Sequence, residues 1–430
     1  MKLNRMSPKN KITSAWRNAK KATLAVASLG VAAAITGGCL QRPIVPAVPK
    51  TNNVYVDQIR QTAVDKIDLL FMIDNSISMA DKQAILKEAV PVLVGRLIQP
   101  VCVDADGAPV GGSVDVATGT CATGEPEFNA IKDIHIGVVS SSLGSHGGQV
   151  CSDVTGNPRL DDHAHLMGAV AGLPSWNGLG FLAWDPTGMK NTPAGESDPD
   201  ALTKEFQDHV TNAGENGCGY EASLEAWYRF LIDPDPPQSV EKGTDNLSAK
   251  VGTDDVTLAA RDAFLRPDSL VAIVMLSDEN DCSIIDEGQG WLVGLQQTGG
   301  TPFQMPRATA ACATNPNDVC CRSCASSEGG GPPAGCTDLA SDTECAKGGN
   351  LSAVEDNLNL RCYEQKRRFG FNLLYPTKRY VDGLTSNTVP DRTGTAVPNP
   401  LYVGEGDKPP RDKSLVFLAG IVGVPWQDIS

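Results

Sequence analysis

Near-continuous apolar runs constrain this 430-residue chain more than any other feature. Ile67 to Ile73, Leu270 to Leu276 and SLVFLAGIVGV (414–424) hold almost no polar residue, and DIHIGVVSSSLG (133–144) opens the same way. A strand with one wet face alternates apolar and polar side chains. One that does not alternate is buried on both faces, as in a parallel sheet covered by helices. Helical segments separate these runs. ADKQAILKEAVPVLVGRLIQP sets Ile85, Ala89, Leu93 and Leu97 four apart on one face, with Pro91 expected to kink the helix. Further helices are expected at 200–210, 220–232, 257–265 and 375–384. Strands alternating with helices make the fold class α/β with a mostly parallel sheet.

Two insertions break the rhythm. Residues 101–132 are rich in Gly, Val and Asp, and Cys102 and Cys121 stand nineteen apart, as in a bridged hairpin. In the second, 285–374, the stretch 312–362 holds seven cysteines among Gly, Pro, Ser and Asn, including CCRSC (320–324). A loop this long and polar is expected to bury no core and to be held by bridges. No helix follows the last apolar run before Ser430, as in a chain cut short.

The front of the chain has a different character. The first 38 residues carry seven Lys/Arg and no Asp/Glu, and include ATLAVASLGVAAAI, too short for a comfortable membrane span. A basic segment, a short apolar run and small residues before a cut site describe a secretory signal, residues 1–38. Its end, TGGC, resembles the lipobox of bacterial lipoproteins, whose cysteine, here Cys39, is lipidated and becomes the mature N-terminus. Thr36 departs from that pattern. Residues 39–65, opening with the proline-rich LQRPIVPAVPK, read as a tether between membrane and domain. Without the signal, 29 basic residues face 51 acidic ones, a net −22. That balance argues against a nucleic-acid partner, which needs a cationic patch, and suits an extracytoplasmic protein that attracts cations. Export also makes disulfides the expected state of the remaining twelve cysteines: Cys102, Cys121, Cys151, Cys218, Cys282, Cys312, Cys320, Cys321, Cys324, Cys336, Cys345 and Cys362.

The first apolar run ends in DNSISM, so Asp74, Ser76 and Ser78 fall at the carboxyl end of a buried strand, where open α/β sheets bind ligands. One carboxylate and two hydroxyls are hard oxygen donors of the kind Mg²⁺ or Ca²⁺ takes. So few charges leave such an ion under-neutralised and open to an external carboxylate. Asp278 stands just beyond its own apolar run, so two strand ends offer carboxylates to one edge. The plainer reading is an Asx-type turn with Ser78 capping the next helix.

FMIDNSISM, HIGVVSSS, GCGYEASLEAWYRFL, VAIVMLSDEND and LVFLAGIVG together resemble the successive elements of a von Willebrand factor type A domain. The likeness is strongest to exported, cysteine-containing versions from myxobacteria and related bacteria. It spans about 66–430 outside the insertions. The resemblance implies a Rossmann-like, mostly parallel sheet flanked by helices and a metal-ion-dependent adhesion (MIDAS-like) site. Asp74, Ser76 and Ser78 would be direct ligands to Mg²⁺ or Ca²⁺, and Asp278 a direct or water-mediated one. Two positions depart from the family. Ile77 replaces a glycine, and in AGENGCGYEASLEA Cys218 stands near the family threonine, with Thr211 upstream. Glu221 is a substitute donor; alternatively Cys218 is bridged to Cys282 or to Cys151.

Other constellations read more plainly. DDHAH (161–165), with His163 and His165, is expected to be a polar loop rather than a zinc site. His135 reads as a structural residue, CCRSC as disulfides and DADG (104–107) as a turn. SSSLGSHGG lacks a GxSxG elbow, and no phosphate loop or GxGxxG stands where it would count. Glu221 and Glu225 read as a solvated helical face. The expected function is a lipid-anchored cell-envelope binding module, an outer-membrane lipoprotein facing periplasm or exterior. Its partner would be an extracytoplasmic protein or glycan. A metal-free scaffold of the same fold is the alternative. A metal-dependent hydrolase is disfavoured, because no nucleophile–base pair is recognisable.

Overall fold

The computed structural model describes residues 65–115, 118–152, 157–327 and 329–423. The expected signal, Cys39 and the tether up to residue 64 lie outside the described residues. Five strands form the central sheet: β1 (Lys66–Ile73), β2 (Asp133–Ser140), β3 (Leu182–Trp184), β4 (Leu270–Ser277) and β5 (Val416–Val422). Their order is β5-β4-β1-β2-β3; all are parallel except β3, which pairs antiparallel with β2 at one edge. The main helices are α1 (Ala80–Ile98), α2 (Pro199–Ala213), α3 (Ser223–Leu231), α4 (Asp255–Phe264) and α5 (Thr377–Thr385). The fold is α/β, with a mostly parallel sheet flanked by helices.

β1 shows why the runs do not alternate. Ile67, Leu69, Phe71 and Ile73 pack with Leu86, Val94 and Ile98 of α1 and Leu202 and Phe206 of α2. Leu70 and Met72 face the other way, toward Ala226, Trp227 and Phe230 of α3 and Phe264 of α4. Successive side chains alternate faces, and here both faces are covered.

α1 turns a different face inward from the expected one. Ile85 and Leu93 are 67% and 42% exposed, whereas Leu86, Val94 and Ile98 are buried. Apolar residues surround this helix, so spacing alone selects no face. Buried Gln83 helps to select it, donating through Nε2 to the carbonyls of Asp74 (3.1 Å) and Gly214 (2.7 Å). Pro91 lies within the helix without ending it. It has no N–H to offer the Lys87 carbonyl, and Gln207 of α2 donates to that oxygen instead, at 3.0 Å.

α3 also differs from expectation. Glu221 precedes the helix, and Glu225 is fully buried rather than solvated. Arg379 of α5 donates to Glu225 through Nε and Nη2, both at 3.0 Å, and the Tyr380 hydroxyl donates at 3.1 Å. Nearly every residue of α3 is buried, so its charges must find partners within the protein.

In the first insertion, Val101–Val103, Pro109–Ser113 and Glu125–Pro126 form a small sheet closed by Cys102–Cys121. DADG is its turn: Asp104 Oδ1 accepts from the amides of Asp106 and Ala108, both at 2.9 Å. The second insertion holds Cys312–Cys321, Cys320–Cys336 and Cys324–Cys345, and Cys282–Cys362 fastens it beyond the end of β4. It is not without a core, contrary to expectation. Ile284, Val293, Met305, Leu351 and Phe369 bury together with Tyr220. Buried Arg361 donates to Asp356 at 3.0 and 2.8 Å and to the Val293 carbonyl at 3.1 Å, which organises the surrounding loops. With Cys151–Cys218, all twelve cysteines are paired, consistent with an extracytoplasmic protein. Among the described residues, no helix is long and apolar enough to cross a membrane.

Candidate metal centre

The register of the sheet brings the expected residues together. Ile73 pairs with Leu276 on one side and Ser140 on the other, so the chain leaves β1 and β4 at the same height. Asp74 and Ser76 are buried there, and Ser78 and Asp278 are half-buried. The Ser76 amide donates to Asp74 Oδ1 at 2.9 Å. The Ser76 and Ser78 hydroxyls lie 2.9 Å apart, and Ser78 Oγ donates to Asp278 Oδ1 at 3.0 Å. Ser78 does not cap α1, since the helix begins after Met79 without a side-chain cap.

Two further residues join this group. Ser277, the last of β4, donates through Oγ to Asp74 Oδ2 at 2.8 Å. Glu279 lines the adjoining cleft. Sequence reasoning passed over both, although they flank Asp278 directly and could have been found from that position. Lys82 is the cation bound to this group, at 3.1 Å from Asp278 Oδ2 and 3.0 Å from the Ser78 carbonyl.

The loop carrying Cys218 is fastened from several directions. Asn75 turns away from the cleft and donates to the Ala213 carbonyl at 3.0 Å, and Ser142 Oγ donates to Asn75 Oδ1 at 2.7 Å. Gly217 packs against that amide; a Cβ there would lie 2.1 Å from Asn75 Oδ1, so only glycine fits. Cys218 is fully buried, donates its amide to Ser142 Oγ at 2.8 Å and is bridged to Cys151, not to Cys282. The position near the family threonine is therefore a disulfide. Thr211 lies within α2 and bonds the Gln207 carbonyl at 2.7 Å, away from the site.

Glu221 lines the same cleft, together with Ser76, Ile77, Ser78, Tyr220 and Glu279; its volume is about 920 Å³. Burial pushes the Glu221 carboxyl up to about 8, and Asp74, Glu279 and Asp278 add repulsion, against a lowering contact with its own amide. Burial and the charges of Asp278 and Asp74 also raise Glu279. Four acidic groups thus crowd together here, Glu221 and Glu279 in the cleft lining and Asp74 and Asp278 beside it, with Lys82 on Asp278. Among the described residues, no three His, Cys, Asp or Glu side chains form a metal site by themselves. A cation here must take serine hydroxyls and water as well. The donor set fits a hard divalent ion: oxygen atoms only, with unbalanced negative charge.

The other constellations stay structural. His165 Nε2 meets Asp254 Oδ2 at 2.6 Å, and His163 Nδ1 lies 3.5 Å from Asp161. Burial raises Asp254, but its bonds to His165 and Thr257 outweigh that and hold it down at about 2. His135 is buried, with Nδ1 2.9 Å from the Phe264 carbonyl.

No known protein family, characterised protein or solved structure matches this chain.

Proposed function

We propose that this chain is an exported cell-envelope lipoprotein whose α/β domain binds an extracytoplasmic protein or glycan in the manner of a von Willebrand factor A domain. The observation that carries the reading is the meeting of Asp74, Ser76, Ser78 and Asp278 through bonds of 2.9–3.0 Å at the carboxyl ends of β1 and β4. Asp74, Ser76 and Ser78 would hold Mg²⁺ or Ca²⁺, with Asp278 binding directly or through water and Glu221 as a further acidic donor. Such an ion supplies an open coordination position for an oxygen of the partner. Ser277 positions Asp74 from the neighbouring strand. The basic segment, apolar run and Cys39 support export and lipid attachment, and six disulfides agree with that destination.

A metal-free scaffold is the second reading, and one feature favours it. Both Asp74 oxygens already accept hydrogen bonds, and Lys82 already sits on Asp278. A thermal-shift titration separates the two. Mg²⁺, Mn²⁺ or Ca²⁺ at about 100 times its dissociation constant should stabilise the wild type by about 2.7 kcal/mol. Asp74→Ala should remove that gain while the domain stays folded. No response to any of the three ions in the wild type would sink the metal reading and leave the scaffold.

A further inference from the structure

A second cavity lies toward the amino ends of the strands, away from the candidate metal centre. It has a volume of about 640 Å³ and is bounded by α4, the segment before β4 and the segment leading to β5. Pro234, Leu258, Leu265, Pro267, Pro400 and Val403 make about half of its lining apolar, and three arginines, Asp262 and Glu405 line it as well.

Two of those arginines are committed elsewhere. Arg266 Nε donates to Asp68 at 2.7 Å and its Nη1 reaches Asp133. Arg411 Nε donates to the Ser269 carbonyl at 2.8 Å, and its Nη2 donates to Ser269 Oγ at 3.1 Å. Arg261 is different. It is 5% exposed, its Nε and Nη2 are buried without partners, and its side chain makes no hydrogen bond or ion pair among the described residues. Asp233, Asp254 and Asp262 act on it only through space. Asp254 is occupied by His165 and Thr257, Asp262 is exposed, and Asp233 lies 3.5 Å from Arg379 with its buried Oδ2 accepting no hydrogen bond among the described residues. Burial lowers the guanidinium to about 10. A buried cation without acceptors is costly, and folded proteins pair such groups.

We infer that this cavity binds a singly charged carboxylate carried on an apolar body, with Arg261 as the cation that recognises it. A guanidinium is a planar donor matched to carboxylate oxygens; Nε and Nη2 of Arg261 are enclosed, so Nη1 is the nitrogen that a ligand in the cavity would meet first. The apolar walls suit the attached hydrocarbon, as in small-molecule sites built from apolar surface and a few polar anchors. Asp262 and Glu405, both exposed in the lining, repel any anion, and a multiply charged one such as phosphate more than a single carboxylate. The inference is independent of the metal centre, since an eight-residue strand separates the two ends of the sheet by about 26 Å.

Thermal unfolding of the purified protein tests this with hexanoate and benzoate, against hexanol, hexylamine and inorganic phosphate. Hexanoate and benzoate should raise Tm saturably, half-saturating at concentrations at least tenfold below those of hexanol, hexylamine or phosphate. Arg261→Met should abolish the response and leave the unliganded Tm equal or higher, because it deletes an unpaired buried charge. Val403→Trp, which fills the exposed mouth while keeping Arg261, should abolish the response as well, and it decides the matter if Arg261→Met does not fold. An N-acetylated tripeptide ending in leucine distinguishes the sources: tighter binding than hexanoate points to a chain terminus, weaker binding to a free acid. Absence of a saturable carboxylate response in the wild type, an equal response in both variants, or hexanol matching hexanoate overturns the inference.

Discussion

Asp68 and Asp74 lie six residues apart on one strand and its exit, both fully buried, and the protein treats them in opposite ways. Asp68, near the amino end, accepts from the Arg266 amide at 2.9 Å, from Arg266 Nε at 2.7 Å and from Ser269 Oγ, with Arg411 Nη2 3.6 Å away. Its charge is balanced by guanidinium groups. Among the described residues, the carboxylate of Asp74, at the carboxyl end, accepts only from the Ser76 amide and Ser277 Oγ. Its hydrogen bonds come from neutral donors, and among the described residues no guanidinium or ammonium contacts it. The amino end therefore reads as structural lattice at Asp68, and the carboxyl end as a place where a ligand's charge has room.

The same substitution at both positions tests this contrast most severely at Asp68. Asn at position 68 keeps the size but leaves Arg266 and Arg411 facing a neutral amide inside the protein. Breaking a buried ion pair by removing one partner costs about 3–5 kcal/mol. Urea unfolding of Asp68→Asn should show a loss of that order. A loss below about 1 kcal/mol would mean that the arginines are solvated well enough without it.

Glu221 gives a sharper test of the carboxyl end, with an effect spread over several pH units. Its folded value of about 8 lies above the 4.5 of an ordinary glutamate. Between those values the folded chain holds a proton that the unfolded chain has lost. Stability from this group is therefore complete below about pH 4.5, falls as pH rises, and levels off above about 8. The steepest contribution is about 1.4 kcal/mol per pH unit. In EDTA, the difference between wild type and Glu221→Gln in unfolding free energy should follow that decline from pH 5 to pH 8. A flat difference across the window would mean that the crowding of carboxylates around the cleft has been overstated.

How far the sequence reveals these two ends depends on how local each cue is. The four long strands were legible because burial on both faces leaves a continuous apolar run. β3 was not: it has three residues, Leu182–Trp184, in a segment rich in glycine and proline. Asp74, Ser76, Ser78 and Asp278 were legible because each stands at the end of such a run. The inward face of α1 was not, because Ile85 and Leu86 are adjacent and equally apolar; the contact from Gln83 to Asp74 and Gly214 is tertiary. Pairing of Cys218 with Cys151 rather than Cys282 depends on where three loops meet, which spacing does not encode. The unpartnered state of the Arg261 side chain is likewise a matter of tertiary placement, since Asp233, whose Oδ2 also lacks a hydrogen bond, acts on it only through space.

The smallest expected effect is the most discriminating. In Asp74→Asn, the amide oxygen can still accept from the Ser76 N–H, and the amide nitrogen can donate to Ser277 Oγ, reversing the bond that Asp74 accepts at 2.8 Å. The hydrogen-bonding pattern survives and no cation loses a partner, so unfolding free energy in EDTA should change by less than about 1 kcal/mol, in either direction. Divalent stabilisation should nevertheless disappear, because a neutral amide is a poorer ligand for a hard cation than a carboxylate. A loss as large as that of Asp68→Asn would show that Asp74 is as structural as Asp68, and the contrast between the two ends of β1 would fail.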